Sequence, residues 1–222
     1  MRFRNQIALL SLAMLGTVGA VTQAEAAPSL CGTIAGNLVQ NCGFELDAPS
    51  TNTAPKDWIF TPAANSSDFA IDPASPPAPG GAHSGTCFVA FGAFGDTPDE
   101  LSQAISTIAG HRYDISFYVA PSGLIPASFA ADFGTTTLVS EINPPGVNDP
   151  ANGNYLLETF TETATASSEL LAFFGFDNSS FVSLDDVSVT DLGAAAVPEP
   201  ASLALVAAGL VATGLIRRRK AQ

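Results

Sequence analysis

The chain has 222 residues, of which 46% are apolar and fifteen are Phe, so it can bury a core and is not intrinsically disordered. Its formal charge is −13, but residues 28–192 carry nineteen acidic residues against two basic ones, Lys56 and Arg112, which is a net charge of −17. A surface this acidic repels phosphate groups, and this excludes nucleic acid as a partner.

Residues 1–26 are typical of a secretory signal peptide. Arg2 and Arg4 precede an apolar run over residues 7–21, and Ala24-Glu25-Ala26 matches a cleavage site. The apolar run is short for a membrane span. We therefore predict cleavage after Ala26 rather than a membrane-anchoring first helix, and an exported domain that occupies residues 27–192.

Three cysteines follow, an odd number for an exported chain: Cys31, Cys42 and Cys87. Oxidising surroundings favour one bridge. A Cys31–Cys42 bridge would close a short segment at the entry to the first predicted strand, whereas Cys42–Cys87 would tie two strands. We favour Cys31–Cys42, with Cys87 as a small buried residue or an intermolecular thiol. His83 lies four residues before Cys87, but no oxyanion motif accompanies the pair, so we expect no catalysis there.

Period-two alternation of apolar residues predicts an all-β domain. In the run from Arg112 to Ala120, one face carries Tyr113, Ile115, Phe117 and Val119. A first strand is predicted over residues 38–46, and further strands over 86–91, 101–108, 128–133, 135–142, 155–165, 169–176 and 181–190. Gly, Pro, Asn and Asp separate these runs, which is typical of turns.

Four segments in order resemble the galactose-binding-like jelly rolls, a fold that includes many carbohydrate-binding modules. They are Asn-Leu-Val-Gln-Asn-Cys-Gly-Phe-Glu at 37–45, the glycine-containing segment at 80–91, the Leu-x-Gln-x-Ile-x-Thr segment that opens 101–118, and Leu-Asp-Asp-Val-Ser-Val at 184–189. The resemblance implies a jelly-roll β-sandwich whose first and last strands lie near one another.

The same resemblance implies a structural calcium ion, with Glu45 and Asp185 or Asp186 among its ligands. Strand alternation places Asp185 on one face with Val187 and Val189, where a bare buried carboxylate is costly. A hard cation would compensate that charge. Two alternatives stay open: a β-bulge that turns Asp185 outward, or backbone N–H groups that satisfy it.

Aromatic residues that could stack on a sugar ring are few. Trp58 and Tyr113 have the surroundings of core residues, so we predict that both are buried, and that Tyr118 and Tyr155 are the exposed aromatics. Core or surface packing is the expected role of all four, because sugar platforms usually need open Trp or Tyr faces.

Residues 193–222 closely resemble the PEP-CTERM sorting signal of Gram-negative bacteria. A short motif precedes an apolar helix at 201–216 and a basic tail at 217–220, in the order Val197, Pro198, Glu199, Pro200, then Arg217, Arg218 and Arg219. The resemblance implies recognition by an exosortase, a membrane-embedded transpeptidase that cuts at the motif. The apolar helix then anchors the precursor in the inner membrane; the alternative is a plain C-terminal anchor.

These features predict an all-β jelly-roll domain flanked by a signal peptide and a C-terminal transmembrane sorting helix. The function expected is that of an exported, exosortase-sorted protein of the cell envelope, outer surface or extracellular matrix, non-enzymatic and associated with exopolysaccharide in a biofilm. The alternative is a carbohydrate-binding module with a specific sugar ligand. A third, weaker interpretation is an envelope enzyme, although no phosphate loop, dinucleotide fingerprint or nucleophile elbow is present.

Overall fold

The computed structural model describes residues 29–47, 49–64, 67–73, 81–95 and 97–194. The predicted signal peptide lies outside these ranges, as do the sorting motif, apolar helix and basic tail between 197 and 220. Within the described ranges, no helix is long and apolar enough to cross a membrane. The structure thus describes the domain between the two terminal segments, and the boundaries predicted for those segments stay predictions.

Short strands dominate this domain, and the helical elements in its described part are single 3-10 turns. The turns are η1 (Cys31–Thr33) and η2 (Pro150–Asn152). The strands are β1 (Ser50–Thr51), β2 (Ile59–Thr61), β3 (Phe69–Pro73), β4 (Cys87–Phe91), β5 (Asp99–Ser106), β6 (His111–Pro121), β7 (Ala127–Phe133), β8 (Thr136–Ile142), β9 (Leu156–Thr163), β10 (Ser168–Asp177) and β11 (Val182–Ala194).

The strands form two antiparallel sheets that face each other. One sheet has the order β1-β3-β4-β11-β6-β9, and the other has the order β2-β5-β10-β7-β8. Consecutive strands repeatedly fall in different sheets, as in a jelly roll, so the predicted all-β sandwich is confirmed. The closing strand β11 lies between β4 and β6 in the centre of its sheet.

Alternation along β6 shows why these sequences form strands. Tyr113, Ile115, Phe117 and Val119 are buried, whereas the residues between them are half-buried. β-branched and aromatic side chains suit such a pleated, half-buried surface. The face predicted for this strand is therefore confirmed.

The core between the sheets is rich in aromatic rings. Phe117 meets Phe173 edge-on, with ring centroids 5.0 Å apart. Trp58 packs between Phe44 at 5.6 Å and Phe173 at 6.2 Å. Such pairs contribute about 0.5–1.5 kcal/mol each beyond the burial of apolar area. Trp58 and Tyr113 are 5% and 1% exposed, which confirms that both are core residues.

The prediction of a first strand over residues 38–46 is wrong. The segment forms successive turns, because Asn41 and Phe44 have φ angles of 48° and 59°, which an extended strand does not contain. The segment still lies beside the closing strand: the Leu38 N–H donates to the Val189 carbonyl at 2.8 Å, and the Val187 N–H donates to the Cys42 carbonyl at 2.9 Å. The expected proximity of the two ends of the domain therefore holds without a first strand.

Candidate functional site

A β-bulge in β11 determines where the two central aspartates point. Leu184 pairs with the core residue Val119, and Val189 pairs with the core residue Ile115. In a regular strand, an even-numbered and an odd-numbered residue point to opposite faces, yet both of these residues face the core. The parity changes at the bulge between Asp185 and Ser188, where Asp186 has a φ of 49°. The prediction that Asp185 shares a face with Val187 and Val189 is therefore wrong. Asp185 lies opposite Tyr118, on the outer face of the sheet.

The Asp185 carboxylate is nevertheless fully buried, because the segment of residues 81–87 covers it. We call this segment the covering loop. Asp185 accepts hydrogen bonds from the backbone N–H groups of His83 at 2.9 Å, Ser84 at 3.2 Å and its own neighbour Asp186 at 2.7 Å. Burial and the negative charge of Asp186 raise the pKa of Asp185 to about 8, and the three N–H donors act against that rise.

Asp186 joins the covering loop to the segment of residues 29–47, which we call the N-terminal segment. One carboxylate oxygen accepts from the Ser29 hydroxyl at 2.9 Å and the Cys31 N–H at 3.0 Å. The other accepts from the Ser84 hydroxyl at 2.6 Å and contacts His83 Nδ1 at 2.7 Å. Asp186 thus holds together three parts of the chain that are far apart in sequence.

The His83 ring is packed between Asp186 and two tyrosines. It stacks on Tyr118 with ring centroids 3.5 Å apart and an interplanar angle of 16°. Tyr155 meets the same ring edge-on at 5.5 Å, and its hydroxyl donates to the Gly81 carbonyl at 2.8 Å. The ring is hydrogen-bonded to Asp186, so it links the covering loop to β11.

Glu45 holds the other end of the covering loop. Its carboxylate accepts from the N–H groups of Thr86 at 2.7 Å and Cys87 at 2.8 Å, and from the Thr86 hydroxyl at 2.6 Å. Gly85, with a φ of +66°, lies so close to this carboxylate that a Cβ atom would collide with it. We refer to Glu45, Asp185 and Asp186 together as the carboxylate cluster.

The carboxylate cluster does not fit a calcium ion in this arrangement. Each carboxylate oxygen of Asp185, Asp186 and Glu45 faces at least one N–H, O–H or imidazole nitrogen, whereas Ca²⁺ takes six to eight oxygen ligands. Among the described residues, no group of three or more His, Cys, Asp or Glu side chains is placed to hold a metal. The backbone N–H groups that sequence reasoning left as an alternative satisfy Asp185.

The cysteines lie at the edge of the same region. Cys31 and Cys42 are joined in a disulfide, with Cα atoms 6.0 Å apart. Cys87 is a free, buried cysteine. Burial raises the pKa of the Cys87 thiol, and the nearby Glu45, Asp47 and Asp185 charges add to the rise, while a hydrogen bond with Thr86 opposes it. A thiol of this kind is a poor nucleophile.

The tyrosines were the least predictable part of the site. Tyr155 is 1% exposed, so the prediction that it is an open aromatic is wrong. Tyr118 is half-buried, with one ring face covered by His83. From the sequence, His83 was considered as a catalytic partner of Cys87, and that role was rejected. The contacts of His83 with Asp186 and Tyr118 were not predicted. The one signal available was the placement of a histidine in a glycine-rich loop before a strand.

Comparison with known proteins identifies the C-terminal segment. Residues 196–220 match the PEP-CTERM protein-sorting motif. The chain carries a PEP-CTERM sorting signal. This signal implies exosortase-targeted export, and it covers the Val197–Pro200 motif and the basic tail that the sequence placed there. No curated protein matches the chain.

Solved structures are similar to the sandwich. A cyclase from Fischerella sp. TAU, in complex with 4-(1H-indol-3-yl)butan-2-one, aligns at a TM-score of 0.52 and 17% identity, over 71% of this chain and 98% of that chain. TmCBM61 in complex with beta-1,4-galactotriose aligns at a TM-score of 0.49 and 16% identity, over 70% of this chain and 98% of that chain. The CBM22-1 xylan-binding domain of Paenibacillus barcinonensis Xyn10C aligns at a TM-score of 0.45 and 15% identity, over 78% of this chain and 100% of that chain. At these identities, the likeness is one of fold.

The hydrogen bonds of the carboxylate cluster predict unequal effects of two matched substitutions. Above pH 8, where the Asp185 carboxylate is ionised, either orientation of the amide in Asp185→Asn replaces an acceptor oxygen with an NH₂ group that faces a backbone N–H, which we expect to lower the free energy of unfolding by about 1–3 kcal/mol. In Asp186→Asn, the amide can donate to the Ser84 hydroxyl and to a neutral His83 ring, so the loss should be smaller. Urea unfolding of both variants measures the difference, and equal stability of the two would contradict the assignment.

Proposed function

We propose that the chain is exported, cut at its sorting motif by an exosortase and delivered to the cell envelope or the extracellular matrix. The match of residues 196–220 to the PEP-CTERM motif carries this proposal. The predicted signal peptide at 1–26 supplies the export step. The apolar segment at 201–216 holds the precursor in the inner membrane until it is cut, and the basic tail stays on the cytoplasmic side.

The mature domain, in this proposal, is a non-enzymatic surface or matrix component. The carboxylates of Glu45 and Asp186 and the imidazole of His83 are engaged in structural hydrogen bonds: Glu45 with the covering loop, and Asp186 with His83 and Cys31. The buried Cys87 thiol has a raised pKa, which opposes nucleophilic attack at neutral pH. These observations support a structural role for the groups that would otherwise be the first candidates for catalysis.

Its acidity determines which polymers the domain can contact. The sorted domain leaves both basic ends behind and carries a net charge of −17 over residues 28–192. Such a surface repels anionic polymers in low salt unless divalent cations bridge the two. We therefore propose that its contact with anionic exopolysaccharide depends on bridging cations.

A carbohydrate-binding module with a specific sugar ligand is the second candidate. The jelly-roll sandwich favours it, because the sequence motifs at 37–45, 80–91, 101–118 and 184–189 resemble those of a fold that includes many carbohydrate-binding modules. The rings of Trp58, Tyr113 and Tyr155 are buried, and Tyr118 is stacked on His83. A sugar ligand would therefore be held by hydrogen bonds rather than by stacking on one of these four rings.

Sorting is tested by cell fractionation of wild type against a Pro198→Ala/Pro200→Ala variant, which keeps the apolar segment and the basic tail. We expect the wild-type chain in a shortened form at the cell surface or in the matrix, and the variant at full length in the inner membrane. A chain lacking residues 197–222 serves as the control for loss of the whole signal. If all three chains reach the same fraction, the sorting proposal fails. If only the chain lacking residues 197–222 is found in a different fraction, the segment is a plain anchor.

Polysaccharide contact is tested on a glycan array that includes the anionic matrix polysaccharide. We expect binding that requires a divalent cation and is abolished by a chelator, because cations must offset repulsion between two anions. Saturable binding to one neutral sugar, unchanged by the chelator, would contradict this expectation and would favour the carbohydrate-binding module.

A further inference from the structure

The sandwich has an open side between two edge strands. β9 is the last strand of the six-stranded sheet, and β8 is the last strand of the five-stranded sheet. A cavity of about 130 Å³ lies between them, roofed by the loop that connects β8 to β9. Its walls are apolar apart from two glutamates, and they include Val119, Phe129, Val139, Val147 and Leu156.

The two glutamates come from opposite sheets and face into the cavity. Glu141 in β8 pairs with Phe129, and Glu158 in β9 pairs with Phe117. Both phenylalanines point into the core, and paired residues of antiparallel strands lie on the same face. Glu158 is half-buried, and Glu141 is exposed at the mouth of the cavity. Two carboxylates therefore approach the same apolar space from its two walls.

Nothing in the described part of the chain compensates these two charges. The ion pairs there are His83 with Asp186 and His111 with Asp191, and no described side chain bonds to Glu141 or Glu158. Burial, with the charge of Glu141 added to it, raises the pKa of Glu158. Lys56 and Arg112 are the two Lys or Arg residues of the domain, and neither lines the cavity. A positive charge placed here would relieve both the repulsion and the cost of desolvation.

The walls decide which kind of cation fits. A hard divalent ion needs six or more oxygen ligands, and side chains such as Val139 and Leu156 supply none. An ion with a compact apolar body would instead bury hydrocarbon against these walls while its charged end meets the two carboxylates. Inward-pointing charges also protect edge strands from pairing with other chains, but that role makes no use of an apolar cavity.

We propose that this cavity binds an organic ammonium ion, with its amine between Glu141 and Glu158 and its apolar body against the valines and Leu156. This site is separate from the carboxylate cluster, and it does not depend on the sorting signal or on contact with exopolysaccharide.

Cyclohexylammonium and the uncharged, similarly shaped cyclohexanol test the proposal, titrated into the isotope-labelled exported chain by NMR. We expect the amine to cause saturable shifts of amides in β8, β9 and the connecting loop. The alcohol should bind more weakly by about tenfold or more, because it cannot form the charged hydrogen bonds to the two carboxylates. Glucosamine and Nα-acetyl-lysine amide, titrated in parallel, show whether a sugar or a protein side chain carries the preferred amine.

Matched variants locate the binding site. Glu158→Gln and Glu141→Gln should each weaken the amine by about tenfold and leave the alcohol unchanged. Glu162→Gln makes the same charge change on the same face of β9, two residues beyond Phe160 and outside the cavity lining, and should bind as the wild type does. Equal binding of amine and alcohol, shifts elsewhere in the domain, or an equal effect of all three variants would overturn the proposal.

Discussion

Two adjacent buried carboxylates, Asp185 and Asp186, impose the constraint on which this sandwich depends. Each is excluded from water, and neither has a Lys or Arg partner among the residues that the structure describes. An uncompensated charge in such a place is expensive, so the chain must bring donors to it from elsewhere. The covering loop supplies backbone N–H groups and a histidine, and the N-terminal segment supplies Ser29 and Cys31. The burial of Asp185 and Asp186 thus determines the positions of the covering loop and of the N-terminal segment.

The same constraint connects the fold to the proposed route of the protein. The segment that follows the predicted cleavage site is closed within itself by the Cys31–Cys42 bridge, and it is held to the closing strand by Asp186 and by the hydrogen bond between Leu38 and Val189. β11 continues to Ala194, two residues before the sorting motif begins. Both ends of the described domain are therefore held by hydrogen bonds, a disulfide or strand pairing, and the two cleavages that we propose fall outside these contacts.

Sequence reasoning predicted regular elements well and backbone irregularities poorly. Alternation along β6 identified its buried face, because each side chain there follows a strict period of two. Alternation failed at residues 38–46 and at Asp185, because positive φ angles at Asn41, Phe44 and Asp186 change the direction of the chain, and no apolar pattern encodes them. The approach of Glu141 and Glu158 to one cavity also escaped prediction. Their approach depends on two edge strands in different sheets, which one-dimensional periodicity does not specify.

The central claim is that donors within the chain, rather than a metal ion, satisfy the buried carboxylates. Thermal unfolding of the metal-stripped exported chain, with millimolar calcium and with a chelator, tests it directly. Because every oxygen of Glu45, Asp185 and Asp186 already has a donor, we predict the same Tm under both conditions. A Tm that rises with calcium and falls again with chelator would contradict the claim and would show that the cluster opens to bind the ion.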